Sequence, residues 1–216
     1  MDYVKYYGKK NRERIAATVL LLLVSGCIWG MFRVENTKAC DYQQDIAKQI
    51  LRLHVIANSD SDEDQALKMK VKEQIVTYVS SLTKDSEGVS DAKQIVSMYL
   101  DEIKEVAEEV IYQEGYAYPV AVELSDSYFP VKTYGEAVFP EGVYHALKVK
   151  IGKAEGKNWW CVLYPNLCFV DSAYGVLQED QKEELKRVLT EEEYESIFQV
   201  PKEKIKISFT LFSILE

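Results

Sequence analysis

The sequence predicts an α+β fold: a single domain with a largely antiparallel sheet and helices packed on one face, preceded by an N-terminal hydrophobic signal or anchor helix. Three observations carry this. Apolar residues recur at helical spacing between residues 61 and 113, then alternate at period two after residue 118. The order strand, helix, helix, strands, helix, strand is that of an α+β domain rather than a βαβ array. The run Ile15–Phe32, IAATVLLLLVSGCIWGMF, holds no charge over 18 residues.

That run sits at the lower edge of what spans a ~30 Å hydrocarbon core. Lys5, Lys9, Lys10, Arg12 and Arg14 precede it, opposed only by Asp2 and Glu13. A basic flank stays cytoplasmic, so everything after Phe32 is expected to be exported. Two readings of the segment stand side by side. One is a membrane anchor or cleavable signal peptide. The other is a lipoprotein signal, in which Val24-Ser25-Gly26 precede a lipidated Cys27; against it, Ile28–Phe32 continues the apolar run. The segment has no polar face, which argues against a buried core helix. The expected organisation is a basic flank plus signal or anchor over 1–32, a polar linker over 33–45, and an extracytoplasmic domain over 46–216.

Within that domain, Ile50–Ile56 reads as a strand with Leu51, Leu53 and Val55 on one face. Asn58-Ser59-Asp60-Ser61 follows as a loop. Ser61 and Asp64 form a capping-box-like start, and Asp62, Glu63 and Asp64 suit the positive end of a helix dipole. The helix is expected to run to about Leu82, with Leu67, Val71, Ile75, Val79 and Leu82 in phase. A turn over Thr83–Gly88 leads to a second helix from Ser90 to about Gln113. Its stripe is Ile95, Met98, Ile103, Val106 and Val110, and Gly115 stops it. Strands are expected at Tyr118–Leu124, Val143–Ile151, Asn158–Tyr164 and Leu167–Val170. A charged helix from Glu179 to about Phe198 is broken by Pro201, and Ile205–Leu211 reads as a last strand. No repeat of 20–50 residues is present.

Composition excludes several functions. With 47% apolar and 28% charged residues the chain is neither a disordered tail nor a low-complexity linker. A 216-residue chain can bury about 70% of its unfolded surface, so it needs no metal or disulfide to fold. The net charge is −9; five basic and two acidic residues in 1–14 contribute +3, so the remainder carries −12. Such a body is a poor binder of nucleic acid or of anionic lipid. Membrane contact is therefore expected through the N-terminal segment only.

The chemistry-bearing residues are few. Of four cysteines, Cys161 and Cys168 lie in the body, in CVLYPNLC. A turn through Tyr164-Pro165 would face the two thiols across a hairpin, giving either a disulfide or two buried free thiols. Zinc is disfavoured by that spacing and by a total of two His. His54 lies near Ser59 and Asp60, but no nucleophile elbow is present and the loop-and-cap reading is the stronger one. His145 shares the phase of Val143, Leu147 and Val149, which points it toward the apolar side. Paired with Cys161 it would make a nucleophile and base, although a thiol inside an apolar strand is usually structural. Gly152–Asn158 lacks phosphate-loop spacing, and the acids Asp60–Asp64 lack the glycine of a calcium loop. No catalytic residue, metal or cofactor is expected. Aromatic residues crowd the stretch 128–160, ending in Trp159-Trp160; on a strand one faces in and the other out. An exposed Trp among tyrosines marks a partner-binding hot spot, whereas two buried Trp would be core.

The residues LRLHVIANSDSDEDQALK from Leu51 resemble the opening signature of the stage II sporulation protein R family. GKNWWCVLYPNLCF from Gly156 is similar to its second signature, and YFPVKTYG from Tyr128 and PEGVYHAL from Pro140 are similar as well. The likeness covers about 45–170. It implies a protein made in the forespore and exported into the space between the two membranes. There, members of the family trigger a membrane-embedded aspartic protease that removes the pro-sequence of the sigma-E precursor. The expected partner is thus the outer domain of that protease, contacted by Trp159, Trp160 and the loop Asn58, Ser59 and Asp60. Two rivals remain: an exported hydrolase using Ser59 or Cys161 with a His, and a passive envelope structural protein.

Overall fold

The structure is a computed structural model that describes residues 18–27, 29, 42–169 and 176–198. The chain divides into two units, 1–42 and 43–216. In the first, residues 18–27 are helical and Val19–Val24 are exposed. Among the described residues no helix is long and apolar enough to cross a membrane. The rest of the expected signal or anchor helix, apart from Trp29, lies outside the described residues, as do positions 33–41 of the expected linker.

The second unit is built on a four-stranded sheet of order β2-β5-β1-β6, from β1 (Leu51–Ile56), β2 (Val120–Phe129), β5 (Gly142–Ile151) and β6 (Asn158–Tyr164). A two-stranded hairpin, β3 (Lys132–Tyr134) and β4 (Ala137–Phe139), stands apart from it. β1 pairs parallel with β5 and antiparallel with β6, and β2 pairs antiparallel with β5. The sheet is therefore mixed, and the expectation of a largely antiparallel sheet is corrected at its centre. The reason is topological. The β1 chain leaves into three helices, β2 and the hairpin before β5 returns beside it, and a long crossover of that kind delivers a parallel strand.

The helices are α1 (42–49), α2 (Asp62–Leu82), α3 (Val89–Met98), α4 (Leu100–Gln113), α5 (Glu179–Val188) and α6 (Glu191–Phe198). α2 matches the expected helix. Ser61 Oγ accepts from the Asp64 N–H at 3.2 Å, and Leu67, Val71, Ile75 and Val79 are buried at i, i+4 spacing. Each such side chain contributes roughly 1.5–3 kcal/mol of burial. The second expected helix is broken at Tyr99 into α3 and α4. Its buried stripe is Ala92, Val96, Ile103, Ala107 and Ile111, while Met98 is exposed. Bulk misled the sequence reading here, because alanines at the contact let helices approach closely. The expected helix 179–198 breaks into α5 and α6 at Leu189–Thr190. Residues 42–45, expected as linker, are helical, and Leu167–Phe169 is loop and turn rather than strand. The strand expected at Ile205–Leu211 lies outside the described residues.

One sheet face, carrying Leu53, Val55, Leu147, Val149 and Cys161, is apolar and buried; α2, α3 and α4 supply its cover. The opposite face carries Arg52, His54, Ala146, Trp160 and Phe129. Phe139 and Tyr134 of the hairpin reach the same Arg52, and α6 packs on β4. The hairpin, with α6 packed on β4, thus covers a second face that the expectation of helices on one face left open.

Candidate functional site

The residues expected to bind a partner gather at one end of the sheet. In the β1–β6 register Val55 faces Trp159 and Ile56 faces Asn158, so the loop after β1 lies beside the start of β6. Trp159 points to the helical face. There the Lys72 ammonium of α2 stands 5.0 Å from its ring centroid and 5.7 Å from that of Phe169. Trp160 points to the other face. It stacks on His54 with centroids 5.6 Å apart and carries the Lys132 ammonium of β3 at 4.7 Å. Both indoles are half-buried, each under a lysine, which differs from the inward and outward pair expected from alternation. Both sheet faces are covered, so neither indole is fully presented to solvent. Burial lowers the pKa of Lys72, and burial likewise outweighs the Asn158 hydrogen bond of 2.7 Å in lowering that of His54.

Asp64 organises the loop. Its buried carboxylate accepts from Asn58 Nδ2 at 2.8 Å and from the Ser59 hydroxyl at 2.5 Å. Burial works to raise its pKa, but hydrogen bonds from Ser59, Asn58 and Tyr118 outweigh it and hold the carboxyl below its usual range. The loop in turn grips residues 152–157. Asn58 Oδ1 accepts from the Lys153 N–H at 3.0 Å, Asp60 Oδ1 from the Lys157 N–H at 2.6 Å, and the Ala57 carbonyl from the Gly156 N–H at 3.0 Å. A Cβ at position 156 would run into the Ser59 carbonyl, so the two loops touch backbone to backbone there. The Asn58-Ser59-Asp60 side chains thus fix a rigid corner.

Cys161 and Cys168 form a disulfide with Cα atoms 5.1 Å apart, closing the Tyr164-Pro165 turn, whose peptide bond is cis. This resolves the two readings of those thiols and removes Cys161 as the nucleophile of the hydrolase alternative, because a bonded sulfur offers no thiolate. The Ser59 hydroxyl donates to Asp64; the polar partner of His54 is Asn158, and that of His145 is Asp126 at 3.0 Å. Neither histidine therefore sits with a nucleophile among the described residues. His145 shares the helical face, as its phase implied, but lies near the solvent-exposed end of it, 37% exposed. Cys27 is an exposed free thiol in the first unit. Among the described residues no group of acids, His and Cys is arranged to hold a metal ion.

Sequence reasoning missed Lys72, Lys132 and Arg52. The lysines carry no local signal, and only the folded chain sets them against the tryptophans. Arg52, set between Leu51 and Leu53, carries no local signal of its own, yet it is fully buried.

A sequence profile described as Stage II sporulation protein R matches residues 47–174. The Bacillus subtilis protein named Stage II sporulation protein R is 34% identical over 185 residues, covering 85% of this chain and 83% of that one. No solved structure matches. The matched span takes in the corner loop, both tryptophans, the hairpin and the disulfide, and so the chain belongs to the stage II sporulation protein R family.

Proposed function

We propose that this protein is an exported signalling ligand of endospore formation. It acts between the two membranes on the outer domain of a membrane-embedded aspartic protease, which then processes the sigma-E precursor. Family membership supports this reading, and one observation carries its surface. Trp159, Trp160, Lys72 and Lys132 stand beside a corner locked by Asp64, so aromatic and cationic groups are held in a fixed arrangement before any partner arrives. Preorganisation of this kind lowers the entropic cost of binding. The ligand works by population shift: it binds the active protease state more tightly than the inactive one. The N-terminal segment serves as its signal or membrane tether.

The test is reconstitution in a non-sporulating host with the cognate protease and the sigma-E precursor. The full chain should give processing, and a chain lacking residues 1–32 should not. Trp159→Ala and Trp160→Ala, in variants shown to remain folded, should each reduce processing. Full processing by both would sink the proposed surface; equal processing without residues 1–32 would sink the extracytoplasmic site of action.

A further inference from the structure

β2 has no strand on its outer side among the described residues. In the order β2-β5-β1-β6 it pairs with β5 alone, over all 10 of its residues and without a break in register. One hydrogen bond beyond the strand fixes which backbone groups turn outward. The Gly152 N–H donates to the Pro119 carbonyl at 2.9 Å, so residues 119 and 152 form a hydrogen-bonded pair. Bonded and non-bonded pairs alternate along an antiparallel ladder. The odd-numbered residues of 121–129 therefore bond to β5. Val120, Val122, Leu124, Asp126 and Tyr128 turn their N–H and C=O groups away from it. The far end keeps the same phase: the Val143 carbonyl, opposite Tyr128, accepts from Gln43 Nε2 at 3.2 Å. Among the described residues no group bonds to this outward row.

Strand edges left in water are usually blunted by shortness, a lysine, a proline or a bulge. β2, VAVELSDSYF, has none of these and is about twice the usual strand length. Its outward N–H and C=O groups recur at every second residue, about 6.7 Å apart, a spacing that another extended backbone matches. The side chains are incomplete at the same edge. Val122 and Leu124 pack on the core but stay half-buried, on the sheet face that the helices cover. A strand laid along β2 would bring side chains to about 4.5–5.5 Å from them. The charges of β2 are Glu123 and Asp126, both exposed. Their cationic neighbours, Lys150 and His145 at 3.0 Å, stand on the β5 side, leaving the outer side acidic. α4, which packs beside β2, adds five acids against one lysine. A second copy of this chain would set one acidic edge against another, so a basic strand is the better complement.

We infer that the outer edge of β2 is a docking site for an extended segment of a partner protein, bound by strand addition. The segment alternates apolar residues, on the face of Val122 and Leu124, with lysine or arginine on the face of Glu123. Main-chain bonds supply affinity in such a mode and alternate side chains supply selectivity. β2 and β6 are the two opposite edges of the sheet, so this site is separate from the tryptophan surface proposed above.

Amide hydrogen exchange by NMR on the full chain in detergent micelles tests this, with acetyl-Lys-Val-Lys-Val-Thr-Val-Lys-amide as the probe. In the free chain the amides of Val122, Leu124 and Asp126 should exchange at least about tenfold faster than those of Glu123 and Ser125, which bond to β5. Saturating peptide should slow the first three at least about tenfold. The peptide N-methylated at its valines keeps every side chain but loses the donors that face β2, and should protect nothing. Asp126→Pro deletes one outward N–H at a position where an edge strand tolerates proline, and should weaken binding about tenfold. Glu123→Lys leaves the backbone unchanged and should weaken binding several-fold at low salt, with a smaller effect at high salt. No protection by the peptide, or equal protection by its N-methylated form, overturns the inference. Protection already present in the free chain overturns the partner assignment: if independent of concentration it gives the edge to another segment of this chain, and if it rises with concentration, to a second copy. The assay contains no protease, so its failure leaves the signalling role standing.

Discussion

Opening the Cys161–Cys168 bond offers a clean perturbation, because reduction removes a cross-link and no side chain. The two cysteines are 7 positions apart. Chain-entropy loss from closing so short a loop gives about 2.5 kcal/mol of stability at 25 °C. For a domain of this size that is a Tm difference of about 5–10 °C. Both cysteines are nearly inaccessible, at 0% and 3% exposure, so reductant should be added to the unfolded chain before refolding. Urea unfolding of oxidised and reduced protein then reads out two quantities. The midpoint should fall on reduction, and the slope should rise slightly, because the uncrosslinked denatured chain exposes more surface. A midpoint shift equivalent to less than about 0.5 kcal/mol would refute the cross-link argument. A loss above about 5 kcal/mol would show that the turn after β6 is needed for native packing, beyond its effect on the denatured chain.

Two further outcomes follow from the corner and from the buried histidine. Asp64→Ala removes the acceptor shared by Asn58 and Ser59, leaving both donors unsatisfied; a loss of about 2–4 kcal/mol is expected in urea unfolding, and a loss below about 1 kcal/mol would mean that the loop holds itself without the carboxylate. His54 has its pKa lowered by burial, so its contribution is fully present above the unfolded value near 6.5 and is lost as pH falls below it toward the folded value. Wild-type Tm should therefore drop more steeply between about pH 7 and pH 5 than that of His54→Gln, and parallel curves would show that the imidazole protonates freely in the fold.

What was legible in the sequence was what periodicity encodes. β6 emerged at Asn158–Tyr164 and α2 at its capped start, because alternation and i, i+4 spacing need no tertiary information. The hairpin did not emerge, since strands of three residues show no period. Its omission propagated. Without a cover for the second face, the first strand reads from Leu51, Leu53 and Val55 on one face alone, and the tryptophan pair as one inward and one outward. The corner loop was read correctly as a cap, but its grip on residues 152–157 is a contact between distant segments, invisible to local pattern. The parallel centre of the sheet was hidden for the same reason: element order constrains topology and does not fix strand direction.

The position of β1 bears on how the chain can fold while it is being made. Leu53 waits for residue 147 on one side and residue 161 on the other. β1 cannot pair with β5 before residue 147 has emerged, nor with β6 before residue 161. Until then β1 is a bare apolar segment with two open edges. High contact order of this kind slows folding and lengthens exposure of such segments. Truncation before Asn158 would strip one flank of β1 and remove both cysteines of the disulfide at once, so partial chains should be degraded rather than accumulate as smaller domains.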